Sequence, residues 1–315
     1  MFTSGRRALL RLAPLAVLPV VLTGCAQSAG SDDDTVHVLA SFYPLQMIAE
    51  QVGGDRVTVD SLTPPGAEPH DVELSPAQVS RIDRADLVVY LSGFQAAVDE
   101  AIEQTSPERV VDVADVEDLL TLEQEGTESH ADEIDHADED SHDHGALDPH
   151  FWLDPSRMPA AVDAVTDALS QADPENTDEY RANADALNAR FDDLDQRYTE
   201  GLASCDTRTF VTSHEAFGYL AHRYDLHQVG ISGLDPDAEP SPKRLAAVED
   251  IVREEGVTTI FFEQLVSPKV ARTLAADLGI DAAVLDPIEG VTGDADYFSI
   301  ADDNLAALRV ALSCS

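Results

Sequence analysis

The chain has 315 residues and a mass of 33.9 kDa, enough for one large or two ordinary α/β domains with real cores. Its 61 acidic residues outweigh 19 basic ones for a formal net charge of −42, a field that repels phosphate backbones and excludes nucleic-acid binding. That acidity draws cations in general and equally suits a saline habitat, so alone it names no ligand.

Residues 1–24 read as an export signal. Arg6, Arg7 and Arg11 form a basic start, and Leu12 to Leu22 is an apolar run too short to span a bilayer comfortably. The run ends in Leu22-Thr23-Gly24-Cys25, which resembles the lipobox of bacterial lipoproteins. Used as such, it makes Cys25 a lipidated N-terminus on the outer face of the cytoplasmic membrane; the alternative is an ordinary secretory signal. Residues 25–35 then form a flexible tether. In that oxidising setting Cys205 and Cys314 are expected to pair as a disulfide, with a free buried pair as the alternative.

The mature chain reads as α/β, two lobes each built on a mostly parallel sheet flanked by helices and bridged by one long rigid helix. Short apolar runs at 36–41, 57–62, 86–91 and 109–113 give four strands to an N-terminal lobe over residues 36–156. Runs at 208–213, 226–231, 257–262 and 281–285 give four more to a C-terminal lobe over 205–315. Linking helices occupy 157–204. Within them Tyr180, Ala184, Leu187, Phe191, Leu194, Tyr198 and Leu202 fall at spacings of three and four, one apolar stripe. Asp173-Pro174 offers a cap and a first helical residue, so the spacing predicts a helix over 174–203, about 45 Å long. Residues 123–146 carry acids and histidines with no basic residue, a loop that has nothing to bury.

Chemistry collects just past the predicted strands. His70 lies in a Pro- and Gly-rich segment after 57–62, and His150 lies in Asp-Pro-His-Phe-Trp. His214 ends Phe-Val-Thr-Ser-His, and Asp286 ends Ala-Ala-Val-Leu-Asp with Glu289 three residues on. Ligands of open α/β sheets gather at the carboxyl edge of the strands, so these groups have the placement to converge between the lobes. Three imidazoles and one carboxylate suit tetrahedral zinc. Taken singly, each also reads as an ordinary turn, cap or packing residue; Asp148 and Trp152 are examples.

The motifs together resemble a known family, the solute-binding lipoproteins of zinc- and manganese-uptake ABC transporters (ZnuA/TroA-like). They are Pro-His70-Asp-x-Glu-Leu-Ser-Pro, Asp-Pro-His150-x-Trp-Leu-Asp-Pro, Ser-His214-x-Ala-Phe-x-Tyr and Asp286-Pro-Ile-Glu-Gly, in that order along the mature chain. The resemblance implies two lobes bridged by a rigid helix with the metal between them. It implies capture of Zn²⁺ outside the membrane by a lipid-anchored, monomeric protein and delivery to an ABC-type permease, with no catalysis. Histidine at 214, where manganese members carry a carboxylate, points to zinc. The resemblance also makes His130, His136, His142 and His144 in the acidic loop weak auxiliary zinc ligands, the alternative being a merely solvated loop. For the fourth ligand it offers Asp286, Glu289 or water, with Asp286 slightly preferred.

Two other classes compete. A manganese or iron importer component, or an adhesin of the same fold, keeps the architecture but changes the cargo. A zinc hydrolase would draw on His214-Glu215-Ala-Phe-Gly218, one residue short of His-Glu-x-x-His, yet position 218 is glycine and the second helical ligand is missing.

Overall fold

A computed structural model describes residues 1, 35–121 and 147–315. The export signal, Cys25, the tether up to residue 34 and the acidic loop with His130, His136, His142 and His144 lie outside them.

Each predicted strand is present within a residue or two at its ends. In the first half β1 (Val36–Ala40), β2 (Val57–Ser61), β3 (Leu87–Tyr90) and β4 (Val110–Asp112) form a sheet in the order β2-β1-β3-β4. In the second, β5 (Thr209–Thr212), β6 (His227–Gly230), β7 (Thr259–Phe262) and β8 (Asp281–Val284) form a sheet in the order β6-β5-β7-β8. Every pairing is parallel. Both sheets therefore reverse their winding direction between the first and third strands, opening a crevice at the carboxyl ends there.

In the central strands β1, β3, β5 and β7 the runs are largely apolar because both faces are covered, whereas the edge strands β2 and β8 are partly exposed. In β1, Val36, Val38 and Ala40 enter the central core while Leu39 enters a separate cluster with Leu62, Ile82, Val88 and Val98. In β5, Phe210 faces the central core and Val211 a third cluster with Val229, Ile260 and Leu274. The outer clusters are roofed by α2 (Pro76–Ile82) and α3 (Ala96–Thr105) in the first half, and by α7 (Pro242–Glu255) and α8 (Lys269–Leu278) in the second. Sequence signals start these helices: Ser75 and Gln78 exchange a capping box ahead of Pro76, and the Ser241 hydroxyl accepts from the Arg244 amide ahead of Pro242.

Between the sheets lie α1 (Tyr43–Gly53), α4 (Met158–Ala172), α5 (Thr177–Leu202), α6 (Gly218–Arg223) and α9 (Tyr297–Ala311). The long helix is α5. Its seven buried residues are those of the stripe read from the sequence, and it lies against α1 and α4 of the first half and α9 of the second. Its start differs from expectation. Pro174–Asn176 is a 3₁₀ turn, and the α-helix runs 26 residues from Thr177, about 39 Å. Asp173 does not cap the backbone; its carboxylate instead accepts from Asn176 Nδ2 (2.6 Å) and the Tyr180 hydroxyl (2.7 Å). The central core is one cluster running from β1 to the C-terminal Leu312, and residues 35–315 form a single compact unit. Cys205 and Cys314 are joined by a disulfide at the amino-end side of the second sheet, four residues ahead of β5.

Candidate metal centre

Four loops at the carboxyl ends of the strands bring His70, His150, His214 and Glu289 together, one ligand atom from each lying within 4.8 Å of every other. Glu289 Oε1 is 3.1 Å from His150 Nε2, 3.3 Å from His70 Nε2 and 3.7 Å from His214 Nε2, and the Nε2 atoms of His70 and His150 are 3.3 Å apart. A tetrahedron with about 2.0 Å zinc–nitrogen bonds has edges of about 3.3 Å, so these four separations are already those of a zinc shell. His214 Nε2 is buried with no hydrogen-bond partner and lies in the same cluster, an uncommitted ligand atom.

Carboxylates behind the imidazoles fix them. His150 Nδ1 lies 2.5 Å from Asp148 Oδ1, which also accepts from the His150 amide at 2.8 Å. His214 Nδ1 lies 2.6 Å from Glu263 Oε1, which also takes the Ser213 hydroxyl. Each pair keeps a proton on Nδ1 and turns Nε2 toward the other three groups, so Nε2 is the atom that can ligate once its own proton leaves. Glu263 follows β7 directly, and Gln228 of β6 donates to the His214 carbonyl at 3.0 Å. His70 is placed differently, through its loop: Gln95 Nε2 donates to the Pro69 carbonyl and to Thr63 Oγ1, both at 3.0 Å, and Glu68 accepts from the His70 amide at 3.0 Å. Sequence reading placed Asp148 in the His150 motif with an ordinary cap as its alternative role, and passed over Glu263; a lone acid ending an otherwise apolar strand was the available signal.

Asp286, preferred in the sequence reading, is not among the four. Its Oδ1 accepts from the Ile288 amide at 2.8 Å and its Oδ2 from Gln264 Nε2 at 3.1 Å. Ile288 sits at φ 58°, a left-handed conformation costly for a β-branched residue. The turn that Asp286 stabilises there is what swings Glu289 into the cleft. Trp152 does more than pack: its Nε1 donates to the Pro287 carbonyl at 2.7 Å, and its own carbonyl takes the Tyr297 hydroxyl, so the His150 and Glu289 loops are tied to each other.

Charge in the cluster is balanced by protons. Burial alone would push His150 down, but Asp148 and Glu289 hold its imidazolium up to about 10. His214 is raised in the same way, burial being outweighed by Glu263 and Glu289, while burial lowers His70. Glu289 falls well below the usual carboxylate range: burial opposes this, but His150 and His70 overcome it.

The family model described as "Zinc-uptake complex component A periplasmic" matches residues 38–311. The chain belongs to that family. Like other zinc-uptake component A chains, it is similar to the high-affinity zinc uptake system protein ZnuA of Bacillus subtilis, at 36% identity over 290 residues, 90% of each chain. It is 35% identical over 310 residues to the zinc-binding lipoprotein AdcA of Streptococcus pneumoniae, covering 95% of this chain. It spans little more than half the length of its streptococcal relatives, 60% there and 56% for AdcA of Streptococcus pyogenes. Among solved structures, the Zn(II)-bound ZnuA-like domain of Streptococcus pneumoniae AdcA superposes with a TM-score of 0.72 at 32% identity, covering 88% of this chain and 99% of that one.

Proposed function

We propose that this zinc-uptake component A protein captures one Zn²⁺ outside the cytoplasmic membrane through His70, His150, His214 and Glu289 and delivers it to an ABC-type permease. The observation that carries the reading is the buried, converging set of three imidazoles and one carboxylate, with their outer nitrogens locked by Asp148 and Glu263. Three nitrogen donors suit zinc better than manganese, which favours oxygen. A shell of four protein ligands leaves no open position for an activated water, and this supports transport rather than hydrolysis. Glu215, the base a hydrolase would need, is engaged by Arg244 at 3.2 Å. Among the described residues no helix is long and apolar enough to cross a membrane, and attachment is assigned to lipidated Cys25, in keeping with the relative named a lipoprotein. In this reading the protein is monomeric and the four histidines of the acidic loop hold zinc weakly.

The test is calorimetric titration of the metal-free protein with zinc. One tight site per chain is expected, abolished in His150→Ala; unchanged affinity in that variant refutes the assignment. A larger thermal stabilisation by Mn²⁺ than by Zn²⁺ would overturn the choice of metal.

A further inference from the structure

The cluster is nearly sealed. The side chains of His150, His214 and Glu289 are at most 1% exposed, and His70 alone of the four is accessible, at 14%. Aromatic rings wall it: Phe94 stands 4.7 Å from the His70 ring centroid and Trp152 5.2 Å from that of His150. Two larger cavities, about 540 and 390 Å³, include none of the four side chains. A smaller one of about 90 Å³ does, with Glu289 in its wall beside Tyr43, Thr63, Pro65, Gly66 and Gly290. It has room for about three waters.

Its two lips come from different halves of the molecule. On one side Pro64–Ala67 is a tight turn, the Ala67 amide donating to the Pro64 carbonyl at 3.0 Å. Pro65 holds its second position and Gly66, at φ 76°, its third, the pattern of a stiff type II turn. On the other side runs Gly290–Gly293. A Cβ added at Gly66 would lie 4.0 Å from Thr292 Cγ2, and one at Gly290 would meet Leu265 Cδ1 at 3.4 Å and the Ala67 carbonyl oxygen at 3.8 Å, so the two lips come close together at both glycines. Pro65, Gly66 and Thr292 are exposed, so the gap opens to solvent.

We propose that the metal enters and leaves between the Pro64–Ala67 turn and the Gly290–Gly293 segment. The proline turn is the fixed lip. The glycine-bounded segment is the one that yields, and it carries Glu289 at its root, so opening the gap and loosening one ligand are a single movement. The proposal rests on the zinc-binding reading above and adds the route.

Thr292→Trp places an indole over Gly66 without altering a ligand, and Gly290→Phe fills the gap from its inner end. Zinc association and chelator-trapped dissociation are followed by stopped flow, with Val310→Trp on the 80% exposed surface of α9 as control. Both rates should fall together by about tenfold or more in either lip variant that keeps a native melting transition, with Kd moving by less than about threefold. Wild-type rates in the folded lip variants overturn the route while leaving zinc binding intact. A raised Kd at an unchanged association rate overturns it too, since that marks damage to the site. Failure of the unmodified protein to bind zinc removes the reading beneath it.

Discussion

Glu263 Oε1 lies 2.6 Å from the Nδ1 of His214, a buried carboxylate from the end of β7 gripping an imidazole from the end of β5. Glu263→Gln keeps the shape but removes the charge that orients and polarises the imidazole. Zinc affinity is expected to fall by about 10–100-fold, measured by competition with a chromophoric chelator. An unchanged value would mean that packing alone holds the ring.

Glu289 and Asp286 are separated by the same kind of measurement. Glu289→Gln removes the charged oxygen common to three short contacts and should lose at least about 100-fold in affinity. Asp286→Asn retains a side chain able to accept from Ile288 and should cost far less. The reverse order would restore Asp286 as the ligand.

The central strands β3, β5 and β7 were legible because strands covered on both faces read as short apolar runs, and the α5 stripe because its partners lie on one side. His70 and His214 were legible as groups placed after strands, and His150 through its Asp-Pro-His-Phe-Trp segment. That Glu289 rather than Asp286 turns toward them was not, since the turn holds a left-handed Ile288 and hydrogen bonds from Gln264 and to Asn304, residues far apart in sequence. The helical segment starts at Pro174 as read, but its first turn is 3₁₀, and Asp173 accepts from the Asn176 and Tyr180 side chains, a detail the Asp-Pro pair does not reveal.

Zinc binding should be a proton exchange. With His150 held up to about 10, the metal-free protein carries that proton at neutral pH and the ion must expel it. Titrations in buffers of different ionisation heat should show about one proton or more released per zinc, with affinity rising as pH rises. For the metal-free fold the sign follows from a pKa raised above its ordinary 6.5: the stabilisation is complete below that value and disappears as pH climbs through about 10. Melting curves of chelator-treated protein should decline across that window, and His150→Gln should flatten the decline.

The disulfide joins residues 109 apart in sequence. Removing it with Cys205→Ala and Cys314→Ala should cost on the order of 4 kcal/mol of stability. Zinc affinity should hold, because the bridge lies at the amino-end side of the strands and the ligands lie at the other. A matching loss of affinity would reveal mechanical coupling across the sheet.

The apolar interior that runs unbroken from β1 to Leu312 has a thermodynamic consequence. Each sheet keeps a smaller cluster on its outer face, but both press their inner faces into this shared core, so heat should dissolve both in one calorimetric peak whose van't Hoff and measured enthalpies agree. Joined so, the two halves act as a stiff cradle, and recognition of the ion is left to loops a few residues long.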